Sequence, residues 1–137
     1  MREITTEYFI VGGGLSGACL GYLLRKGGKD ALVAEILDAK KKDKLCGGIL
    51  NGVGWAEFDK IFHGDGRKLL RAMPVKTLKS RLDAYEILHH VDWWTVPRKR
   101  LDDYVLTQYK DAGGELIFFA NHRRGRRKFT HPPVDHP

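Results

Sequence analysis

Three glycines near the start of the chain have the spacing of a turn that binds a nucleotide phosphate. Gly12, Gly14 and Gly17 form the pattern G-x-G-x-x-G, with Gly13 and Ser16 between them. In such a turn the first glycine allows a tight bend, the second lets a pyrophosphate approach the backbone, and the third lets a helix pack close to a strand. The N-terminus of the helix that follows would offer N–H groups and a positive dipole end. The pattern therefore predicts a site for a pyrophosphate.

A carboxylate follows these glycines at the distance expected of a ribose ligand. Glu35 lies 23 positions after Gly12 and ends the short apolar segment 30–35. In dinucleotide-binding units, an acidic residue about 20 positions after the first glycine accepts hydrogen bonds from the ribose hydroxyls. A carboxylate there would also repel a 2′-phosphate. Without the glycines, Glu35 would be interpreted as a solvated strand end.

The segments that must position these residues have the order strand, turn, helix, strand. Residues 8–24 carry no charged side chain, and their length is near the lower limit for a membrane span. Three consecutive glycines would weaken a spanning helix, whereas a strand-to-helix turn needs them. Glu3 and Glu7 beside Arg2 also disfavour a secretory signal. We therefore expect a cytoplasmic protein without a transmembrane segment, and leave peripheral attachment to a membrane open.

Composition is consistent with one globular domain and excludes several classes of site. The chain has 137 residues, of which 42% are hydrophobic and 30% charged, enough for a core and a soluble surface. Its two cysteines form no C-x-x-C pair, which argues against a disulfide scaffold and a cysteine zinc site. The six histidines show no ligand spacing with carboxylates or cysteines, so we predict no metal.

Positive charge is concentrated at the end of the chain. The net charge is +7, and residues 121–137 carry a cluster of five basic side chains, from Arg123 to Lys128, against the single carboxylate of Asp135. This segment has no apolar periodicity and contains several prolines, so it is predicted to be a disordered or aberrant tail.

The rest of the chain alternates helical and strand patterns. Apolar spacing predicts a helix over residues 55–62, and residues 98–112 predict an amphipathic helix that stops at Gly113-Gly114. The remaining segments predict strands, with one or two antiparallel strands in 75–89 and further strands at 91–96 and 115–120. Helices alternating with short apolar strands indicate an α/β fold with a parallel sheet.

Three segments together resemble one family of flavoproteins. Val11–Gly17 with Glu35 resembles the N-terminal FAD fingerprint, and Lys44–Leu50 resembles the K-x-C-G-G-x-L stretch of the geranylgeranyl reductase family. Val96–Val105, followed by Ala112–Glu115, resembles a v-x-R-x-x-(F/L)-D-x-x-L … a-G-a segment shared with the wider hydroxylase-like flavoproteins. The similarity extends from about residue 6 to about residue 120.

The resemblance implies a fold, a cofactor and a reaction. The fold would be an α/β, Rossmann-like FAD/NAD(P)-binding domain with a parallel sheet and flanking helices, here incomplete, with part of an antiparallel substrate layer in about residues 65–97. The reaction would be reduction of isoprenoid double bonds, with the hydride coming from reduced flavin. FAD would be the cofactor, and an isoprenoid or lipid the substrate. The resemblance names no catalytic acid or base.

The same resemblance assigns site residues by position. The pyrophosphate of FAD would be held by Gly12, Gly13, Gly14, Ser16 and Gly17, and the adenosine ribose by Glu35. The loop near flavin and substrate would be lined by Cys46, Gly47 and Gly48. Arg98 would reach the FAD phosphate or ribitol as a charge-assisted donor. Taken alone, Arg98 is equally well a surface arginine at a helix start, and Cys46 a small buried thiol.

The chain also departs from the family pattern. Leu15 replaces the usual proline, and Asp30 stands where an apolar strand residue is common. Family members are longer and carry a second FAD motif with a Gly-Asp pair. We therefore expect residues 1–120 to be an N-terminal part of such a protein, inactive alone, and residues 121–137 to come from a truncated or frame-shifted reading frame.

Two other functions fit parts of the sequence. An NAD-binding Rossmann domain of a dehydrogenase would explain the glycines and Glu35 equally well, but not the Cys46–Gly48 loop. A nucleic-acid-binding module could use the basic cluster 123–128 on phosphates. Trp93 and Trp94 are adjacent rather than interleaved with that cluster, so we expect no nucleic-acid partner.

Overall fold

The computed structural model of the chain describes residues 4–36, 46–118 and 129–130. In chain order, the elements are β1 (Ile4–Thr5), β2 (Tyr8–Val11), α1 (Leu15–Lys26), β3 (Ala31–Glu35), β4 (Ile49–Asn51), α2 (Gly52–Phe62), α3 (Gly66–Leu69), β5 (Met73–Leu82), β6 (Tyr85–Thr95), α4 (Arg98–Asp111), β7 (Glu115–Phe118) and β8 (Phe129–Thr130). They belong to two compact units, Met1–Asp43 with Asp102–Pro137, and Lys44–Leu101.

The first unit is built on a parallel sheet with the strand order β2-β3-β7. Tyr8 lies opposite Ala31, and Leu32 lies opposite Glu115. The central strand β3 is buried along its whole length, whereas both neighbouring strands have exposed ends. A parallel strand covered on both faces needs a continuous apolar run, which Ala31–Ala34 supplies. Helix α1 connects β2 to β3 and completes a β-α-β unit.

Tyr109 of α4 links that helix to the backbone of two strands. Its side chain is fully buried, and its hydroxyl lies 2.7 Å from the carbonyl oxygens of both Ala31 and Glu115. The hydroxyl also accepts a hydrogen bond from the Val33 N–H at 3.2 Å. Gly21 of α1 leaves room for the ring, because a Cβ there would lie 2.9 Å from Tyr109 Cε2.

The second unit is an antiparallel sheet with the order β4-β6-β5 and two helices. Strands β5 and β6 form a long hairpin in which Leu82 pairs with Tyr85, with an irregular register between Val75 and Thr77. Helix α2 contributes a buried aromatic row, Trp55, Phe58 and Phe62. The Asn51 side chain caps this helix by accepting a hydrogen bond from the Gly54 N–H at 2.8 Å.

The predicted α/β architecture is confirmed, with differences at several boundaries. The helix expected at 55–62 begins three residues earlier, because Asn51 caps it. The strand signals in 75–96 correspond to the hairpin β5–β6, and the helix expected at 98–112 ends at Asp111. Strand β7 ends at Phe118, the last described residue of the segment predicted as 115–120. The short elements β4 and α3 were not predicted.

Only two residues of the predicted tail belong to the described part of the chain. Residues 121–128 and 131–137 lie outside the described residues. At Phe129–Thr130, where no regular structure was expected, strand β8 pairs in parallel with β1. Phenylalanine and threonine are both favoured in strands, which is consistent with this pairing. Among the described residues, every helix is too short or too polar to cross a lipid bilayer.

Candidate functional site

The glycine turn connects the end of β2 to the start of α1 in three residues. Gly12 has a φ of +106°, a conformation that side chains rarely adopt. Its N–H donates to the Ala34 carbonyl oxygen at 2.7 Å, which anchors the turn to β3. The backbone conformation at the first position of the pattern therefore favours glycine.

Gly17 marks the closest approach of the helix to the turn. A Cβ built on Gly17 would lie 1.9 Å from the Gly12 carbonyl oxygen and 3.2 Å from Cγ2 of Ile10. Real Cβ atoms essentially never come within 3.0 Å of another heavy atom in this way. Only glycine therefore fits the third position of the pattern without moving the helix.

The N-terminus of α1 presents backbone donors at this turn. Gly14 is the N-cap residue, with φ −74° and ψ −176°, and within the described part of the chain no side chain caps the helix. The N–H groups of a first helical turn have no partner inside the helix, and the helix dipole makes this end attractive to anions. Ser16 lies exposed in this first turn.

Glu35 and Gly13 are brought together by the structure. Glu35 is the last residue of β3 and is only 9% exposed. Its Oε2 accepts a hydrogen bond from the Gly13 N–H at 2.9 Å, and its Oε1 accepts one from the Ile36 N–H at 2.9 Å. The carboxylate is therefore held in one orientation beside the middle of the glycine turn, and both features lie in the first unit.

The second unit brings together the other predicted site residues. Nη1 of Arg98, at the start of α4, lies 3.7 Å from Sγ of Cys46, although the two residues are 52 positions apart. The Gly48 N–H also donates to this sulfur, at 3.4 Å. The sulfur thus lies near the positive charge of a guanidinium and near the partial positive charge of a backbone N–H. Lys44 and Leu45, the first residues of the K-x-C-G-G-x-L stretch, lie outside the described residues.

The end of β6 fixes the loop that carries Cys46. Gly48 has a φ of +62°, and a Cβ there would lie 1.9 Å from the Val96 carbonyl oxygen. The Val96 N–H donates to the Gly48 carbonyl oxygen at 2.9 Å, and Oγ1 of Thr95 donates to the Gly47 carbonyl oxygen at 2.8 Å. Sequence reasoning did not identify Thr95 and Val96, because nothing in their residue types signals this contact.

An open cavity of about 370 Å³ follows this loop in the second unit. It is lined by Ile49, Leu50, Asn51, Gly54 and Trp93. Its volume is at the lower end of the range of ligand pockets.

The other described titratable groups add no catalytic cluster. Burial raises the pKa of the Cys19 thiol, so that this cysteine stays protonated at neutral pH. Within the described part of the chain, no three His, Cys, Asp or Glu side chains are grouped so that they could hold a metal ion. His89 and His90 point to opposite faces of β6, because neighbouring residues of a strand alternate.

Comparison with solved structures identifies the fold. PqsL from P. aeruginosa matches with a TM-score of 0.71 and 18% identity, over 84% of this chain and 34% of that one. The chain has a Rossmann-like FAD/NAD(P)-binding fold. A geranylgeranyl bacteriochlorophyll reductase-like protein from Thermoplasma acidophilum matches with a TM-score of 0.65 and 17% identity, over 85% and 30% of the two chains.

A third neighbour, the myxobacterial chondrochloren halogenase CndH, has a TM-score of 0.66 and 15% identity, over 85% of this chain and 29% of that one. The chain thus spans about a third of the length of the structures it matches. No protein-family model and no curated protein matches the sequence. At these identities the likeness confirms the predicted fold class, in which a parallel sheet with flanking helices accompanies an antiparallel sheet.

Proposed function

We propose that this chain binds FAD and forms the FAD-binding part of a flavin-dependent oxidoreductase. The observation that carries the proposal is the buried Glu35 carboxylate, held by the Gly13 N–H beside a helix N-terminus that no side chain of the described residues caps. This arrangement places acceptors for ribose hydroxyls next to donors for a pyrophosphate. The flavoprotein resemblance supports the same cofactor, as does the structural likeness to CndH, which is described as a variant of FAD-dependent halogenases.

The residues of the glycine turn and Glu35, all in the first unit, fit the pyrophosphate and the adenosine ribose of FAD. The turn of Gly12, Gly13, Gly14, Ser16 and Gly17 would hold the pyrophosphate, and Glu35 would accept hydrogen bonds from the adenosine ribose. The N–H groups of Gly12 and Gly13 already donate to Ala34 and Glu35, so the donors to the pyrophosphate would be N–H groups from Gly14 onwards. Cys46, Gly47, Gly48 and Arg98 would lie next to the flavin or the substrate. FAD, when bound, supplies hydride transfer. The chain would bind and orient the cofactor, and the Arg98 guanidinium would donate to one of its anionic or hydroxyl groups.

An NAD-binding domain of a dehydrogenase is the second candidate, because the glycine turn and Glu35 serve either dinucleotide. Neither candidate favours NADP, since the fixed carboxylate would repel a 2′-phosphate. The Cys46–Arg98 contact favours FAD, because the flavoprotein resemblance includes both residues and the dehydrogenase alternative accounts for neither.

Thermal unfolding with added nucleotides distinguishes these candidates. A ligand at 100 times its dissociation constant stabilises the folded state by about 2.7 kcal/mol. We expect FAD to raise the unfolding temperature and NADP to leave it unchanged. Bound FAD would also be retained on gel filtration and give visible flavin absorbance. Stabilisation by NAD but not by FAD would contradict the proposal and favour the dehydrogenase.

A variant of Glu35 tests directly whether its carboxylate contributes to FAD binding. Glu35→Gln keeps a carbonyl acceptor but loses the negative charge, and it should weaken FAD binding about tenfold, as expected for loss of a charged hydrogen-bond acceptor. Glu57→Gln, on the exposed face of α2, is the matched control and should bind FAD like the parent chain. Equal FAD affinities for Glu35→Gln and the parent chain would contradict the assigned ribose contact.

We further propose that the whole protein reduces isoprenoid double bonds. Support comes from the family resemblance of the Cys46–Gly48 loop and from the open cavity at Leu50 and Trp93. The test uses the whole protein loaded with FAD, reduced with dithionite without oxygen and mixed with a geranylgeranyl lipid. Reoxidation of the flavin, with a lipid heavier by two hydrogen atoms per reduced bond, is the expected result. Retained flavin without any change in the lipid would contradict the substrate while leaving FAD binding intact.

A further inference from the structure

One tyrosine of α4 reaches into the parallel sheet of the first unit. Tyr109 is fully buried, and its hydroxyl lies 2.7 Å from the carbonyl oxygens of Ala31 on β3 and Glu115 on β7. The hydroxyl has one proton to donate to these two acceptors, and it accepts a hydrogen bond from the Val33 N–H at 3.2 Å. The pairing of β3 with β7 begins with Leu32 opposite Glu115. The tyrosine hydroxyl therefore joins the two strands at the point where their pairing starts.

Two glycines make room for the ring of Tyr109. A Cβ on Gly114, just before β7, would overlap the ring, and a Cβ on Gly21 of α1 would lie 2.9 Å from its Cε2. Real Cβ atoms essentially never come within 3.0 Å of another heavy atom in this way. The ring is therefore confined between α1 and the start of β7, and it cannot shift without moving one of them.

Val33 connects this tyrosine to the glycine turn. Its N–H donates to the Tyr109 hydroxyl, and its side chain is fully buried. Its Cγ2 lies 3.0 Å from the point where a Cβ on Gly21 would be, and its Cγ1 lies 3.4 Å from the point where a Cβ on Gly13 would be. Cβ of Glu35 lies 3.3 Å from that second point. Val33 and Glu35 therefore lie on the same face of β3 and approach the same residue of the turn.

We infer, on the basis of the proposed FAD binding, that Tyr109 is a positioning residue for the nucleotide site and acts on Glu35 through Val33. The hydroxyl fixes β3 against α1 and β7, and the Val33 side chain carries this position to the glycine turn. The Glu35 carboxylate then meets the ribose hydroxyls in one geometry, as a strong hydrogen bond requires.

The expected signature is a preference between two nucleotides. ADP carries the adenosine ribose and the diphosphate of FAD, whereas 2′-deoxy-ADP lacks the ribose 2′-hydroxyl that such an acidic residue accepts. The parent chain should bind ADP about tenfold more tightly, as expected for a hydrogen bond to a charged acceptor. Tyr109→Phe should reduce this preference to about threefold or less, because a displaced carboxylate makes a poorer hydrogen bond. A smaller folded fraction alone would weaken the binding of both nucleotides equally and leave the ratio of their affinities unchanged.

Two further variants separate positioning from stability. Gly114→Ala retains the hydroxyl but displaces the ring, so it should reduce the preference for ADP as Tyr109→Phe does. Val105→Ala removes two buried methyl groups from the same helix, and it should lower the unfolding temperature while retaining the tenfold preference of about the parental size. A parental preference in Tyr109→Phe would overturn the inference, and so would an equal loss of preference in Val105→Ala.

Amide hydrogen exchange follows the same coupling without a nucleotide. The Gly13 N–H donates to Oε2 of Glu35 at 2.9 Å, so its exchange reports on that hydrogen bond. Tyr109→Phe and Val105→Ala are compared at urea concentrations that give them the same free energy of unfolding, and Gly13 should exchange about threefold faster in Tyr109→Phe. Equal exchange would overturn the positioning role alone. A parent chain that bound neither ADP nor FAD would overturn the proposed function, and the positioning role with it.

Discussion

Replacing Gly17 with alanine tests the geometry of the glycine turn most directly. The new Cβ would lie 1.9 Å from the Gly12 carbonyl oxygen, where 3.0 Å is the closest distance that real Cβ atoms reach. Helix α1 would have to move by about 1.1 Å, because the obstacle is backbone and cannot rotate away. Cγ2 of Ile10, 3.2 Å from the same point, restricts movement toward β2.

The expected magnitude follows from two opposing effects. Overpacking costs about 1–3 kcal/mol, and a backbone obstacle places Gly17→Ala at the upper end of that range. Alanine is favoured over glycine inside a helix by about 1 kcal/mol. The net loss is then about 2 kcal/mol, which corresponds to a fall of about 7 °C in the unfolding temperature of a chain of this size.

The assay is thermal unfolding followed by circular dichroism, with Gly27→Ala as the matched control. Gly27 follows the end of the same helix with a φ of −81°, and a Cβ there would meet nothing closer than 3.4 Å. The control should therefore unfold at nearly the parental temperature. The close approach of α1 to the turn would be refuted if Gly17→Ala unfolded at the same temperature as Gly27→Ala.

Three further predictions concern the elements that support the site. Tyr109→Phe should lower the free energy of unfolding in urea by about 1–3 kcal/mol, because the buried Val33 N–H and two strand carbonyls lose their hydroxyl partner. The control Tyr85→Phe, at an exposed position, should leave the free energy of unfolding unchanged. Burial raises the pKa of the Tyr109 hydroxyl, so the folded state holds the phenolic proton more tightly than the unfolded state does. The free energy of unfolding should therefore be highest below about pH 10 and should fall as the pH rises through the folded pKa. Urea unfolding of Tyr109→Phe between pH 9 and 11, a range set about the ordinary tyrosine pKa, should lack this part of the slope, and an unchanged slope would contradict the assignment. Asn51→Ala should cost about 1 kcal/mol by removing the cap on the Gly54 N–H, and Asn51→Asp should retain most of it, with urea unfolding as the measurement.

Local signals in the sequence predicted the first unit well, because its key elements follow one another directly. Residues 8–35 form a strand, the glycine turn, a helix and a second strand. This order can be recognised from the local sequence without knowledge of distant contacts. Strand β4 has only three residues and exists through pairing with β6, as Leu50 does with Trp94, more than 40 positions away. Apolar periodicity alone predicted that α2 begins at Trp55, because the sequence Gly52-Val53-Gly54 is typical of a loop. The structure shows that Asn51 caps the helix, which therefore begins at Gly52.

The candidate site was predicted as residue types but not as contacts. Spacing predicted Glu35 as a ribose ligand, but it did not indicate that the carboxylate would accept a hydrogen bond from Gly13. The resemblance named Cys46 and Arg98 separately, and their contact depends on how the end of β6 holds the Cys46 loop. No pattern along one chain encodes such a contact, because the hydrogen bonds to Gly47 and Gly48 come from residues almost 50 positions away.

The hydrogen bonds that Glu35 already makes favour its assigned role. A carboxylate offers about four acceptor positions and can accept hydrogen bonds from several donors at once. The backbone N–H groups of Gly13 and Ile36, which already donate to it, belong to the turn and the strand end, so they fix the orientation of the carboxylate before any ligand arrives. A preorganised acceptor loses little side-chain entropy when it binds. A freely rotating side chain at this strand end would lose more, and would specify the ribose hydroxyls less well. Gly13 also lies close to Glu35, because a Cβ on Gly13 would be 3.3 Å from Oε2 of Glu35. A glycine at position 13 therefore leaves room for the glutamate side chain at position 35.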